Sequence, residues 1–182
     1  MKARLNPFNS RQIEGLPYRF LDGSEERVLA RLRQLRFRAA VLGPEGSGKT
    51  TLLELIASKL PGIGLQPVWI RVSRDHPVLP ALPPFTGAQV VLVDGADSLP
   101  AFRWLLLRRA ARSAGGLVIT SHRAEMLPVL FRCRTTPELL RELVEVLAPP
   151  AESIEELFAR HRGNLRNALR ELYDICAGIS YL

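Results

Sequence analysis

Residues 43–50 read Gly43-Pro44-Glu45-Gly46-Ser47-Gly48-Lys49-Thr50. They follow a short apolar run, Ala39-Ala40-Val41-Leu42, and precede a segment (residues 50–60) in which Leu52, Leu53, Ile56 and Leu60 recur at helical spacing. A strand ending at glycine, a glycine-rich loop and a helix form an order with a definite physical consequence. Glycine lets backbone approach a ligand without a clashing Cβ, and the unpaired amides of the helix start point into the loop. The spacing G-x-x-x-x-G-K-T in that context predicts a cradle for nucleotide phosphates.

Outward from this unit the chain alternates. Upstream, Ser24 followed by Glu25 and Glu26 marks a helix start, with Val28, Leu32 and Leu35 on one face. Residues 1–23 hold Asn6-Pro7-Phe8 and Leu16-Pro17-Tyr18, whose prolines break any regular period, and are expected to form an extended arm. Downstream, Pro61-Gly62 stops the helix, residues 67–72 read as a second strand, and a proline-laden loop covers residues 74–87. Val90-Val91-Leu92-Val93 is apolar throughout, as a strand buried on both faces of a parallel sheet should be, and it ends at Asp94. A helix over residues 101–114, a break at Gly115-Gly116, a fourth strand at residues 117–120 and a short fifth strand near residues 131–135 complete an α/β pattern. After Pro137 the period turns helical: Leu139, Leu140, Leu143, Val144 and Leu147 form a stripe, Pro149-Pro150 interrupts it, and two further helical segments run to Cys176. The expected division is a core with an N-terminal arm over residues 1–136 and a small helical subdomain over residues 137–182.

The loop chemistry assigns roles. Gly43, Pro44, Glu45, Gly46, Ser47, Gly48, Lys49, Thr50 and Thr51 make the expected nucleotide-binding set, with Lys49 reaching the β- and γ-phosphates and the Thr50 hydroxyl ligating magnesium. A glycine-rich turn that binds nothing is the bland alternative; the flanking strand and helix weigh against it. Asp94, at the carboxyl end of a buried strand, stands where open α/β sheets bind ligands, and it is the expected carboxylate partner of that magnesium. Asp94-Gly95 is equally a turn pair.

Composition sets the outer limits. In 182 residues, 47% are hydrophobic and 24% charged, a globular balance that excludes a disordered chain. No apolar run approaches the roughly 20 residues of a membrane-spanning helix, so no membrane partner is expected. Cys133 and Cys176 lack metal-ligand spacing and no secretory leader is evident, which fits reduced thiols and a cytoplasmic protein. The net charge of +7 comes from arginine, since Lys2, Lys49 and Lys59 are the only lysines. That skew suits nucleic acid, phosphate or acidic protein surfaces, and a genome rich in G and C would produce it without any function.

The whole pattern resembles the AAA+ ATPases and their STAND relatives. Residues 117–120, ending in Thr120-Ser121, look like the sensor-1 strand of that family, and Gly163-Asn164-Leu165-Arg166-Asn167-Ala168-Leu169 is similar to its sensor-2 helix start. The resemblance implies a P-loop NTPase three-layer sandwich with a parallel five-stranded sheet in the order 5-1-4-3-2, a helical lid, and ATP with Mg as cofactors. It places Thr120, Ser121 and Arg166 near the γ-phosphate. The residues themselves leave Asn164 free to be only a helix cap and Arg166 a solvated side chain. Most hydrolytic members follow the magnesium aspartate with a glutamate, whereas this chain has Gly95; Val93-Asp94-Gly95-Ala96-Asp97 resembles the Asp-Gly-x-Asp form of NACHT-type proteins. By that likeness Asp97 is the candidate water-positioning residue, with helix capping before Ala101 as its alternative. Arg132-Cys133 is similar to the Ser-Arg-Cys box of clamp-loader ATPases, with Phe131 in place of serine, and the likeness implies an arginine offered to a neighbouring subunit, with a plain surface or strand-end arginine as its alternative. The expected catalytic set is therefore Lys49, Asp94, Asp97 and Arg132.

The function expected is ATP binding with slow or partner-stimulated hydrolysis to ADP, in a protein that works with a protein partner or with copies of itself. A small-molecule kinase is the second reading. A non-hydrolysing module clamped by ATP is the third, and DNA remodelling, which would use the basic charge, is the fourth.

Overall fold

A computed structural model describes residues 5–73, 82–124, 126–148 and 153–179. Part of the proline-laden loop (residues 74–81) and the Pro149-Pro150 break lie outside the described residues. The chain forms two compact units, one of Asp22–Gly43 and Lys49–Cys133, the other of Met1–Leu21, Pro44–Gly48 and Arg134–Leu182.

The first unit holds the sheet. Its strands are β1 (Arg38–Leu42), β2 (Gln66–Arg71), β3 (Gln89–Asp94), β4 (Gly116–Ser121) and β5 (Val129–Arg132). All pairings are parallel, in the order β2-β3-β4-β1-β5, which is the expected 5-1-4-3-2 written from the other edge. Every residue of β4 is buried, as its position between β1 and β3 demands. Pro67, which has no N–H for a ladder, is tolerated because β2 is an edge strand. Around the sheet lie α2 (Glu25–Gln34), α3 (Lys49–Lys59) and α4 (Ala101–Ala110). Ser24 caps α2 by accepting the Arg27 amide, and its hydroxyl together with the backbone amide of Glu26 holds the Glu26 carboxyl below its ordinary range. Leu52, Leu53, Ile56 and Ala57 of α3 are buried, the face that the leucine spacing identified.

Two elements depart from expectation. The fifth strand runs over Val129–Arg132 rather than residues 131–135, because Thr136 has to cap the next helix and the chain is already turning; only the Cys133 amide still bonds, to the Leu42 carbonyl at 2.7 Å. The helix expected over residues 101–114 ends at Ala110, where a guanidinium nitrogen of Arg38 takes the carbonyls of Ala111 and Ala114, each at 3.0 Å, and of Arg112 at 3.3 Å. An arginine from β1 thus replaces the last helical turn as the carbonyls' partner.

The second unit is helical: α1 (Ser10–Glu14), α5 (Pro137–Leu147), α6 (Ile154–Arg160) and α7 (Leu165–Ala177). Thr136 caps α5 with proline at its first turn, and Gly178 ends α7 in the left-handed conformation at φ 75°. Leu139, Leu140, Val144, Leu157, Leu169 and Leu172 share one buried cluster, and Phe8 belongs to it. The amino-terminal segment is therefore no simple extended arm. Asn9 caps the short α1, Phe8 is 4% exposed, and the buried Asn6 donates to the Tyr173 carbonyl at 2.8 Å while accepting the Phe8 amide at 3.0 Å. The prolines at 7 and 17 broke the periodicity that sequence reading relies on and hid this latch. Among the described residues no helix is long and apolar enough to cross a membrane.

Burial of Phe8 among leucines from three helices makes Phe8→Ala costly, about 3–5 kcal/mol. Amide hydrogen exchange checks this: protection is expected to fall across α5 and α7 and to persist in β3 and β4. Equal loss in both units would show that Phe8 is not a local anchor.

Candidate functional site

At the carboxyl edge of the sheet, β1 delivers the chain to Gly43 and β3 delivers Asp94. The Lys49 ammonium opens α3 and donates to the Gly43 carbonyl at 2.8 Å, so the charge sits folded over its own loop. One residue on, the Thr50 hydroxyl donates to Asp94 Oδ2 at 2.9 Å. Thr120, beside Asp94 on β4, donates to Asp94 Oδ1 at 2.6 Å and accepts the Gly95 amide at 2.8 Å. Each hydroxyl has one proton to give, and both are given to the same carboxylate. Thr120 therefore serves Asp94 here, while the buried Ser121 turns to its own loop and accepts the Arg123 amide at 2.8 Å. Thr51, partly buried, is the next residue of α3.

A hydroxyl and a carboxylate held together are hard oxygen donors, and they suit magnesium, which takes one or two protein oxygens and leaves its other positions to phosphate and water. Among the described residues no three His, Cys, Asp or Glu side chains gather to hold a metal, so a tight all-protein cage is not what this edge offers.

The residue after Asp94 is the sharpest constraint. Gly95 has φ 81°, and a Cβ built on it would lie 2.3 Å from the Val72 carbonyl oxygen. That carbonyl is backbone, anchored because the Val72 amide bonds the Asp94 carbonyl at 2.9 Å. Position 95 cannot carry a side chain without moving β2 or β3. Asp97 follows in a 3-10 turn, Ala96–Ser98, and is partly exposed.

Arg132 ends the edge strand β5, exposed, in register with Leu42. Three strand spacings separate β5 from β3, roughly 14 Å in all. The structure does not bring Arg132 to Asp94 within one chain.

The loop residues Pro44–Gly48 belong to the helical unit. Gly46 and Gly48 have φ 69° and 82°, and the buried Ser47 hydroxyl donates to the Pro44 carbonyl at 2.8 Å. A Cβ on Gly46 would fall 2.0 Å from Asn164 Oδ1 and 3.1 Å from the Arg166 amide; one on Gly48 would fall 3.2 Å from the Tyr18 ring. The start of α7 and the ring of Tyr18 thus stand against the loop. Asn164 also caps α7 by accepting the Asn167 amide at 3.1 Å, so capping and loop contact fall to the same side chain. Arg166 is exposed at that helix start. Sequence reading named Arg166 and the segment around Tyr18 but not the contacts at Gly46 and Gly48, since no local pattern announces a side chain that meets a glycine tens of positions away or more.

No protein-family profile and no curated protein sequence matches the chain. An arginine-to-alanine variant of RuvB from Thermotoga maritima is a solved structure that superposes on it, with a TM-score of 0.56 and 21% identity over 84% of this chain. The chain spans 61% of the length of that protein. The likeness concerns the fold alone: a five-stranded, wholly parallel sheet with helices around it, consistent with the P-loop NTPase fold.

Proposed function

We propose that the chain is an AAA+-like ATP-binding switch that requires magnesium and hydrolyses ATP slowly unless a partner or a second copy assists. The observation that carries this reading is the Thr50–Asp94–Thr120 hydrogen-bonded chain, which couples the phosphate-loop hydroxyl to the carboxylate at the end of β3. When bound, magnesium would neutralise phosphate charge. Thr50 would then offer its lone pairs while still donating to Asp94, and Thr120 would keep the carboxylate from rotating. Lys49 would leave the Gly43 carbonyl for phosphate oxygens, exchanging a neutral acceptor for charged ones. The amides of residues 44–48 would complete the cradle, and Arg166, at the start of α7 beside Gly46, would distinguish ATP from ADP. Residues 137–182 act in this reading as the lid that reports the nucleotide state.

Slow turnover follows from position 95. A carboxylate beside Asp94 would be the usual means of orienting water, and the backbone there excludes one. Asp97 is the nearest remaining acid in sequence. Arg132, out of reach of Asp94 in its own chain, is left for a neighbour's nucleotide, where such an arginine raises turnover by ~10³–10⁵. A small-molecule kinase gains no support from any acceptor site among the described residues.

Lys49→Ala is expected to abolish ATP binding by calorimetry with little change in thermal midpoint, since the side chain is partly exposed and fills no core position. Unchanged affinity in the folded variant would sink the assignment.

Gly95→Glu is expected to lower stability by several kcal/mol, through backbone strain and overpacking against Val72, without speeding turnover. A stable variant with faster phosphate release would show that the site lacks only a carboxylate.

Specific activity is expected to rise with protein concentration, and Arg132→Ala to remove that rise while ATP still binds. Flat activity per chain, shared by the variant, would make the protein a monomeric switch.

A further inference from the structure

Helix α4 carries large apolar side chains on its outer face as well as its inner one. Its inner face places Leu107 at 0% exposure with Trp104 packed on the sheet core. Its outer stripe, at i, i+3, i+4 and i+7, is Phe102, Leu105, Leu106 and Arg109, and the three apolar members are 61%, 64% and 55% exposed. A surface helix ordinarily sets polar residues on that stripe, and contiguous large apolar side chains in water mark a contact surface.

The stripe continues into a hollow of about 500 Å³ whose lining includes Leu117 and Leu127 beside Arg38, Arg108, Arg109 and Arg112. These four arginines have no carboxylate partner among the described residues. Arg38 spends its bonds on backbone carbonyls behind α4, and Arg108 lies over the Trp104 ring at 6.0 Å. The hollow stands at the amino end of β1, opposite the Gly43 edge, so a nucleotide at the loop neither fills nor neutralises it.

We propose that this face docks an acidic amphipathic segment of a partner protein, with apolar side chains seated on the Phe102, Leu105 and Leu106 stripe and carboxylates entering the hollow to meet Arg108, Arg109 and Arg112. An exposed apolar stripe running into an arginine-rimmed hollow selects this occupant. A bilayer is flat and leaves a hollow unfilled, and nucleic acid phosphates gain nothing from exposed leucine and phenylalanine. Guanidinium groups rimming apolar surface suit carboxylates on an amphipathic helix, which they bind bidentately. The inference does not depend on the nucleotide reading, because none of these residues belongs to the loop or touches Asp94.

The test is selection of the full chain against a random-peptide display library, followed by binding of the enriched synthetic peptide measured by fluorescence anisotropy. Enriched peptides are expected to be acidic, with apolar residues at helical spacing. Affinity is expected to fall at least tenfold in Arg108→Glu/Arg109→Glu and, separately, in Leu105→Ser/Leu106→Ser. All four positions are exposed or at the rim, and an unchanged thermal midpoint verifies folding. No enrichment, peptides without acidic residues, or undiminished affinity in either folded variant overturns the proposal. So does tighter binding, through the same arginines, to vesicles of phosphatidylglycerol or to a DNA duplex, because either assigns the face to another class of partner.

Discussion

The Asp94 carboxylate is the point on which the sheet unit's site depends. It accepts hydroxyl protons from Thr50, on the helix after the loop, and from Thr120, on the strand between β1 and β3. A partly buried carboxylate is held most firmly when both its oxygens are bonded, and here both are, by groups from α3 and β4. The arrangement fixes the rotamer of Asp94 and, through Thr50, the first turn of α3. The position of β4 beside β3 is what brings Thr120 to the second of these oxygens.

The same corner imposes the glycine. β3 leaves the sheet by turning at once, with Gly95 giving its amide to Thr120 and its empty side-chain position to the Val72 carbonyl. The bond that steadies Asp94 through Thr120 and the exclusion of a carboxylate from position 95 are two sides of one backbone path. In the proposed reading, a site built this way favours holding a nucleotide over cleaving it, and that bias belongs to the switch.

Much of this was legible in the sequence. The strand, glycine-rich loop and helix around residues 38–59 and the four-residue apolar run before Asp94 follow from patterns that are local and periodic, while the sheet order followed from the family resemblance. What was not legible is tertiary. Phe8 and Asn6 sit in a stretch whose prolines erase periodicity, yet they latch to helices more than a hundred positions away. Gly95 was readable as a missing carboxylate, but its reason, the Val72 carbonyl, belongs to another strand. The early end of α4 depends on Arg38 taking its last carbonyls, a bond no helix propensity contains. The apolar outer stripe of α4 was hidden by its own success: a helix apolar on both faces reads simply as buried.

Arginine usage separates chemistry from background. Of 25 basic residues only 3 are lysine, so a lysine at a particular basic position is the exception that asks for a reason. Lys59 pairs with Glu25 at 2.6 Å in solvent, a bond either residue type would make. Lys49 is different. Its ammonium bonds the Gly43 carbonyl six positions back at 2.8 Å, as a compact point charge rather than a planar fork of donors. A compact point charge on a flexible stem can swing from that carbonyl to a phosphate without displacing the loop. The arginine skew of the rest of the chain therefore does not count for the loop assignment, whereas the lysine at position 49 agrees with it.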